Sequence, residues 1–129
     1  CQGQSIVRRL AHEAADEAGF ALVNGEMQLH EFERTYAVGD VVAFSGPKFA
    51  HMAVRQARVA ADNILAEMKG KEPASEYYHE INTIIDEGGP GSIHLHYGIW
   101  DDRAFSVRKG AFWSWAKGVH DRFWQARHG

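Results

Sequence analysis

The chain has 129 residues, 45% hydrophobic and 24% charged, with a formal net charge of −3; this balance excludes an intrinsically disordered chain and argues against a nucleic-acid-binding domain, which would carry a basic excess. The charge is uneven: from Arg108 to Gly129 five Lys/Arg stand against one acid, Asp121, leaving nine basic and sixteen acidic residues before them. The only cysteine, Cys1, excludes an intramolecular disulfide and fits a reducing compartment, and no apolar run approaches the ~20 residues that span a bilayer. A cysteine in place of an initiator methionine, with no signal-peptide pattern after it, leads us to expect a truncated or processed chain.

In chain order, Ile6, Val7, Leu10, Ala14 and Ala18 at helical spacing predict a short helix over 5–19, with Ser5 as N-cap and Gly19 as stop. Phe20–Val23 and Met27–Leu29, divided by Asn24-Gly25, predict two short strands or a hairpin. Thr35–Val38 is β-rich and ends in Gly39-Asp40; Val41–Phe44 then runs into the breaker Ser45-Gly46-Pro47. A long helix is predicted from about Lys48 to Lys69, with Phe49, Ala53, Gln56, Ala57, Ala60, Ile64 and Met68 on one face and Gly70 as its end. Its small residues Ala53, Ala57, Ala60 and Ala61 would let a neighbour approach closely. Beyond Pro73, strands are expected at Tyr77–Ile85, Ile93–Trp100 and Ala104–Val107, turning at 86–92 and Asp101-Asp102. A second helix follows from Gly110, striped by Phe112, Trp115, Ala116, Val119, Phe123 and Ala126.

The strand, Gly39-Asp40, loop and helix in succession make mechanical sense for a flavin. Gly39 would let the backbone lie against a ligand, Asp40 can accept hydrogen bonds from sugar-type hydroxyls, and the helix start would turn free N–H groups and a positive dipole end toward an anion. A lone Gly-Asp marks turns in general. Its context here is the run from Thr35 to Pro73, where Ala37–Asp40, Gln56-Ala57 and Asn63-Ile64 resemble the closing segment of flavoproteins with two dinucleotide-binding domains. Within that superfamily, Lys109-Gly110, Phe112, Trp113, Trp115 and Lys117, followed by Phe123-Trp124, resemble the C-terminal pattern of the sulfide:quinone oxidoreductases.

The resemblance covers about residues 20–129. It implies an α+β fold: a C-terminal piece of a two-domain flavoprotein, with residues 1–72 closing the FAD-binding domain and 73–129 forming a β-hairpin plus amphipathic helix. It implies FAD as cofactor, with Gly39, Asp40 and Val41 at the ribityl and phosphate portion, backbone from Phe49 through His51 to Met52 at the pyrimidine edge, and Lys48 adding positive charge. A solvated loop cation is the other reading of Lys48. It further implies electrons passing from sulfide or another donor to quinone, monotopic attachment at the cytoplasmic face of the membrane, self-association into a homo-oligomer, and inactivity of the piece alone. The family's third thiol, however, has no counterpart in Asn82–Gly88. A type II NADH:quinone oxidoreductase therefore stays open, as does a non-catalytic membrane-surface or self-associating module.

Phe112, Trp113, Trp115, Phe123 and Trp124 are expected to face membrane or quinone, as in an interfacial amphipathic helix; packing of the stripe on the sheet or a second subunit is the alternative. His94 and His96 on one strand should point to the same face, as surface or quinone-pocket residues. No third ligand is fixed by local spacing, so no metal is assigned.

Overall fold

The structure, a computed structural model, describes residues 7, 9, 12–86, 91–100 and 105–128, and divides into two compact units, Cys1–Tyr78 and His79–Gly129. In the first unit the dominant element is helix α1, Ala50–Met68. Around it runs a chain of turns joined by isolated bridges: Ala15 with Ala21, Ala21 with Val42, Val23 with Leu29, and Gln28 with Tyr36.

Among the described residues of the predicted 5–19 helix, residues 7 and 9 are helical and His12–Ala14 form a 3₁₀ turn; Ser5, Ile6 and Leu10 lie outside the described residues. Past Ala14 the helix gives way to a tight turn because Asp16 offers two better acceptors. Its Oδ1 takes the N–H of Phe20 at 2.8 Å and its carbonyl takes that of Gly19 at 2.9 Å, the competition by which short acidic side chains disfavour helix interiors.

The predicted hairpin forms, with Asn24 as its organiser. The Asn24 carbonyl accepts from the Met27 N–H at 3.1 Å and its side-chain Oδ1 from the Gln28 N–H at 2.9 Å. The residue forced into positive φ is Met27, at +67°, and not Gly25. A left-handed conformation costs a non-glycine residue about 1–2 kcal/mol. Here it drives the Met27 side chain fully into a core with Val42, Ala60 and Tyr77. A second cluster, Ala14, Ala21 and Leu29, sits under Phe32 and Val23.

Helix α1 begins and ends as its sequence suggests, but the buried face matches the expected one only at Gln56 and Ala60. Met52, Gln56, Ala60 and Asn63 point inward, while Ala57 is exposed and Phe49, Ile64 and Met68 are 44%, 40% and 78% exposed. The buried face includes the two amides because each has backbone to bind. Asn63 donates from Nδ2 to the carbonyls of Glu26 (3.0 Å) and Ser75 (2.8 Å), and accepts at Oδ1 from the N–H groups of Ala74 (3.1 Å) and Ser75 (2.9 Å). One buried side chain thus pins the hairpin turn and the segment after the helix. The C-terminus closes in a Schellman arrangement: Gly70, at φ +68°, donates to the Glu67 carbonyl and Lys71 to that of Ala66, both at 2.9 Å.

In the second unit, β1 (Glu80–Asp86), β2 (Ser92–Gly98) and β3 (Phe105–Gly110) form an antiparallel meander in the order β1-β2-β3. The turn over 86–92 and the turn at Asp101-Asp102 fall largely on residues 87–90 and 101–104, outside the described residues. Alternation places Ile81, Ile85, Ile93, Leu95, Tyr97, Phe105 and Val107 on one face, and Asn82, Ile84, Ser92, His94, His96, Ser106 and Arg108 on the other. Helix α2, Ala111–His128, packs on the second face, with Trp113 stacked on His94 (centroids 4.1 Å apart, planes at 11°) and Ser114 Oγ 2.9 Å from Ser92 Oγ. The α+β expectation is met.

Candidate functional site

The Gly39-Asp40 junction is a 3₁₀ turn, Gly39–Val41, entered from extended Val38 and left through extended Val42. Gly39 has φ +81°, and a Cβ built there would meet only the Ala53 Cβ, at 3.7 Å. The glycine is therefore required on that side by its backbone conformation, not by space. Gln56, buried on the second turn of α1, accepts the Gly39 N–H at Oε1 over 2.6 Å. The turn is thereby tied to the side of the helix, seventeen residues away in sequence.

Lys48 closes the same loop. Its Nζ donates to the carbonyls of Asp40 and Val42, 2.7 Å each, and lies 3.9 Å from the centroid of the Phe20 ring. Burial holds this ammonium below its ordinary pKa, against the opposing pull of Asp40 and Asp16. Neither sequence reading of Lys48 describes this role, a strap across the loop. Phe20 and Gln56, the other two parts of the strapping, carry no sequence signal for such a role beyond a polar residue inside a small-residue helix face.

Beyond the loop, Phe49 is the N-cap of α1 and makes no side-chain capping bond, and the first turn contains no acid. The N-cap residue thus leaves the N-terminal N–H groups of α1 without a cap from its own side chain, and Asp40 is exposed. Phe49 stacks on His51 with centroids 5.7 Å apart. Met52 is 2% exposed; its side chain belongs to the core, and only its backbone could meet a ligand. Val41 likewise packs against the Met27–Val42–Tyr77 cluster. Gly39, Asp40, Val41, Lys48, Phe49, His51 and Met52 are gathered at one corner of the first unit, offering a carboxylate, a positive-φ turn and an open helix end.

In the second unit His94 and His96 do share a face. His96 Nε2 lies 2.7 Å from Glu80 Oε2, and His94 Nε2 lies 2.9 Å from Asn82 Oδ1. Among the described residues no group of three or more His, Cys, Asp or Glu is placed to hold a metal ion. Of the aromatic tail, Phe112, Trp115, Val119 and Phe123 lie together on the face of α2 turned away from the sheet and are 62%, 64%, 46% and 58% exposed. Trp113 is on the opposite side, against His94. Trp124, 40% exposed, also falls off the outer stripe at 100° per residue. Among the described residues no helix is long and apolar enough to cross a membrane.

No family model matches the chain. Over 89 residues, 69% of its length, it is 32% identical to Ferroptosis suppressor protein 1 of Xenopus laevis, the match covering 24% of that protein. In structure it matches the sulfide:quinone oxidoreductase from the hyperthermophilic bacterium Aquifex aeolicus with a TM-score of 0.78 at 18% identity, over 98% of this chain and 32% of the other. The chain is a sulfide:quinone oxidoreductase-like segment in fold, as the sequence resemblance implies. It spans about a quarter of the curated relative and about a third of the solved structure.

Proposed function

We propose that this chain supplies one wall of the flavin site of a flavin-dependent quinone oxidoreductase. The reading is carried by the Gly39–Val41 turn, held against α1 by Gln56 and strapped by Lys48, beside a helix N-terminus that its N-cap residue, Phe49, leaves uncapped. The name of the structural relative, a sulfide:quinone oxidoreductase, supports it. FAD, when bound, supplies the two-step electron chemistry between donor and quinone. The chain's own residues bind and orient: Asp40 accepts hydrogen bonds from the ribityl portion, the Gly39 backbone approaches without a side chain, and the N–H groups at the start of α1, ahead of Met52 whose N–H is taken by the Phe49 carbonyl at 3.0 Å, favour negative charge at the pyrimidine edge.

Residues 2–129 contain no cysteine, so any thiol chemistry on sulfide has to be supplied from outside this segment, and the donor is sulfide or another reductant. The outer stripe of α2 is read as a membrane-surface contact near the quinone, peripheral and not spanning. The test is the visible flavin spectrum of the intact protein. Asp40→Ala should release flavin on gel filtration, whereas full retention would remove Asp40 from the site.

A further inference from the structure

On α2 the charge is distributed in a way that the apolar stripe alone does not require. Taking 100° per residue, Phe112, Trp115, Val119 and Phe123 centre the stripe, and Arg122 and Arg127 fall about 70° to either side of it. Both arginines are exposed. Among the described residues neither is paired with a carboxylate, and the Arg127 guanidinium lies 6.0 Å from the Phe123 ring centroid, at the border of the stripe. Lys117 and Asp121, by contrast, sit on the sheet-facing side, bonded to each other at 2.8 Å. The one acid of the helix is thus matched by a lysine at the back, while uncompensated positive charge borders the apolar face on both flanks.

A second protein surface would call for carboxylates at two separated positions on a partner. A plane of anionic headgroups presents negative charge to both flanks at once while the rings enter the acyl boundary. We infer that α2 recognises a membrane surface by its negative charge, with Arg122 and Arg127 contacting anionic lipid headgroups on either side of the apolar stripe. The inference rests on the membrane-surface reading of α2 and adds the chemistry of the lipid.

The experiment is co-sedimentation of the full-length protein with vesicles of phosphatidylcholine alone and of phosphatidylcholine with phosphatidylglycerol, at low and high salt. Binding should be tighter on the anionic vesicles, and high salt should erase that increment. Each arginine is expected to contribute about fivefold, so R122Q/R127Q weakens anionic binding about 25-fold and leaves neutral binding unchanged. R122K/R127K should keep the preference, which separates charge from guanidinium packing, while W115S/F123S should lose binding to both vesicles. Equal binding of the wild type to both vesicles, or an undiminished preference in R122Q/R127Q, overturns the inference and leaves the membrane reading standing. Binding to neither vesicle overturns both.

Discussion

Asn63 and Gln56 show how much a single buried amide can organise. Asn63 satisfies four backbone groups from two separate segments, and each such group left unpaired in the interior costs about 1–3 kcal/mol. Local relaxation and water recover part of the sum, so Asn63→Ala should destabilise the chain by about 3 kcal/mol, read as a lower denaturant midpoint. A loss under about 1 kcal/mol would mean that the 74–75 segment finds other partners. Gly39 is a contrasting case, since its constraint is conformational and its surroundings are open. Gly39→Ala should cost only about 1–2 kcal/mol. It should nevertheless shift the turn that Gln56 holds, so flavin retention by the intact protein should fall more steeply than its thermal stability.

At the scale of elements, His94 is the joint between α2 and the sheet. With Asn82 Oδ1 as acceptor, its ring proton sits on Nε2, and the buried Nδ1 has no hydrogen-bond partner among the described residues. Burial, with His96 and Arg108 adding to it, pushes the ring below its ordinary value of 6.5. The other groups on this side of the sheet are Glu80 and Asp86 from β1, and Lys117 and Asp121 from α2. A histidine whose folded value is depressed gives stability that is complete above 6.5 and is lost as pH falls through the folded value. Unfolding of the second unit, followed by tryptophan fluorescence, should therefore ease progressively on acidification below about 6.5. His94→Phe, which keeps a ring against Trp113, should flatten the profile; an unchanged profile would assign the acid sensitivity to another group.

The same elements mark where sequence reading succeeds. Helix α1, the Asn24 hairpin, the β-meander and α2 were legible because each repeats a period or sits between turn residues. The buried face of α1 was legible only in part, at Gln56 and Ala60. Periodicity assigns apolar residues inward, and here Asn63 takes the interior with Gln56 because loops, distant in sequence, bring unpaired backbone to them. The last part of the helix expected over 5–19, beyond Ala14, is replaced for a similar reason, as Asp16 prefers turn hydrogen bonds that no apolar pattern reports. In the site, the position of Gly39-Asp40 before the helix could be read directly. The strap of Lys48 over Phe20 could not, since it joins residues 28 apart through a cation, two carbonyls and a ring.

At the scale of the whole molecule, the coverage of the relatives bears on what the chain can do alone. It spans about a third of the structure whose fold it shares, and the flavin wall proposed for it would consist of one turn, one carboxylate and one helix end. A helix end and an exposed carboxylate each contribute modestly in water, roughly 0.3–1 kcal/mol for a dipole contact, far below what holds a dinucleotide at micromolar concentration. The remaining affinity must come from surfaces that enclose the cofactor, because binding strength grows when polar contacts are desolvated and pre-organised together. The 129-residue chain purified by itself should thus be colourless and should gain no thermal stability from added FAD, while the intact protein should be yellow. Stoichiometric flavin on the isolated chain would show that these two units carry a complete site, and would require a second wall built from residues other than those gathered around Gly39.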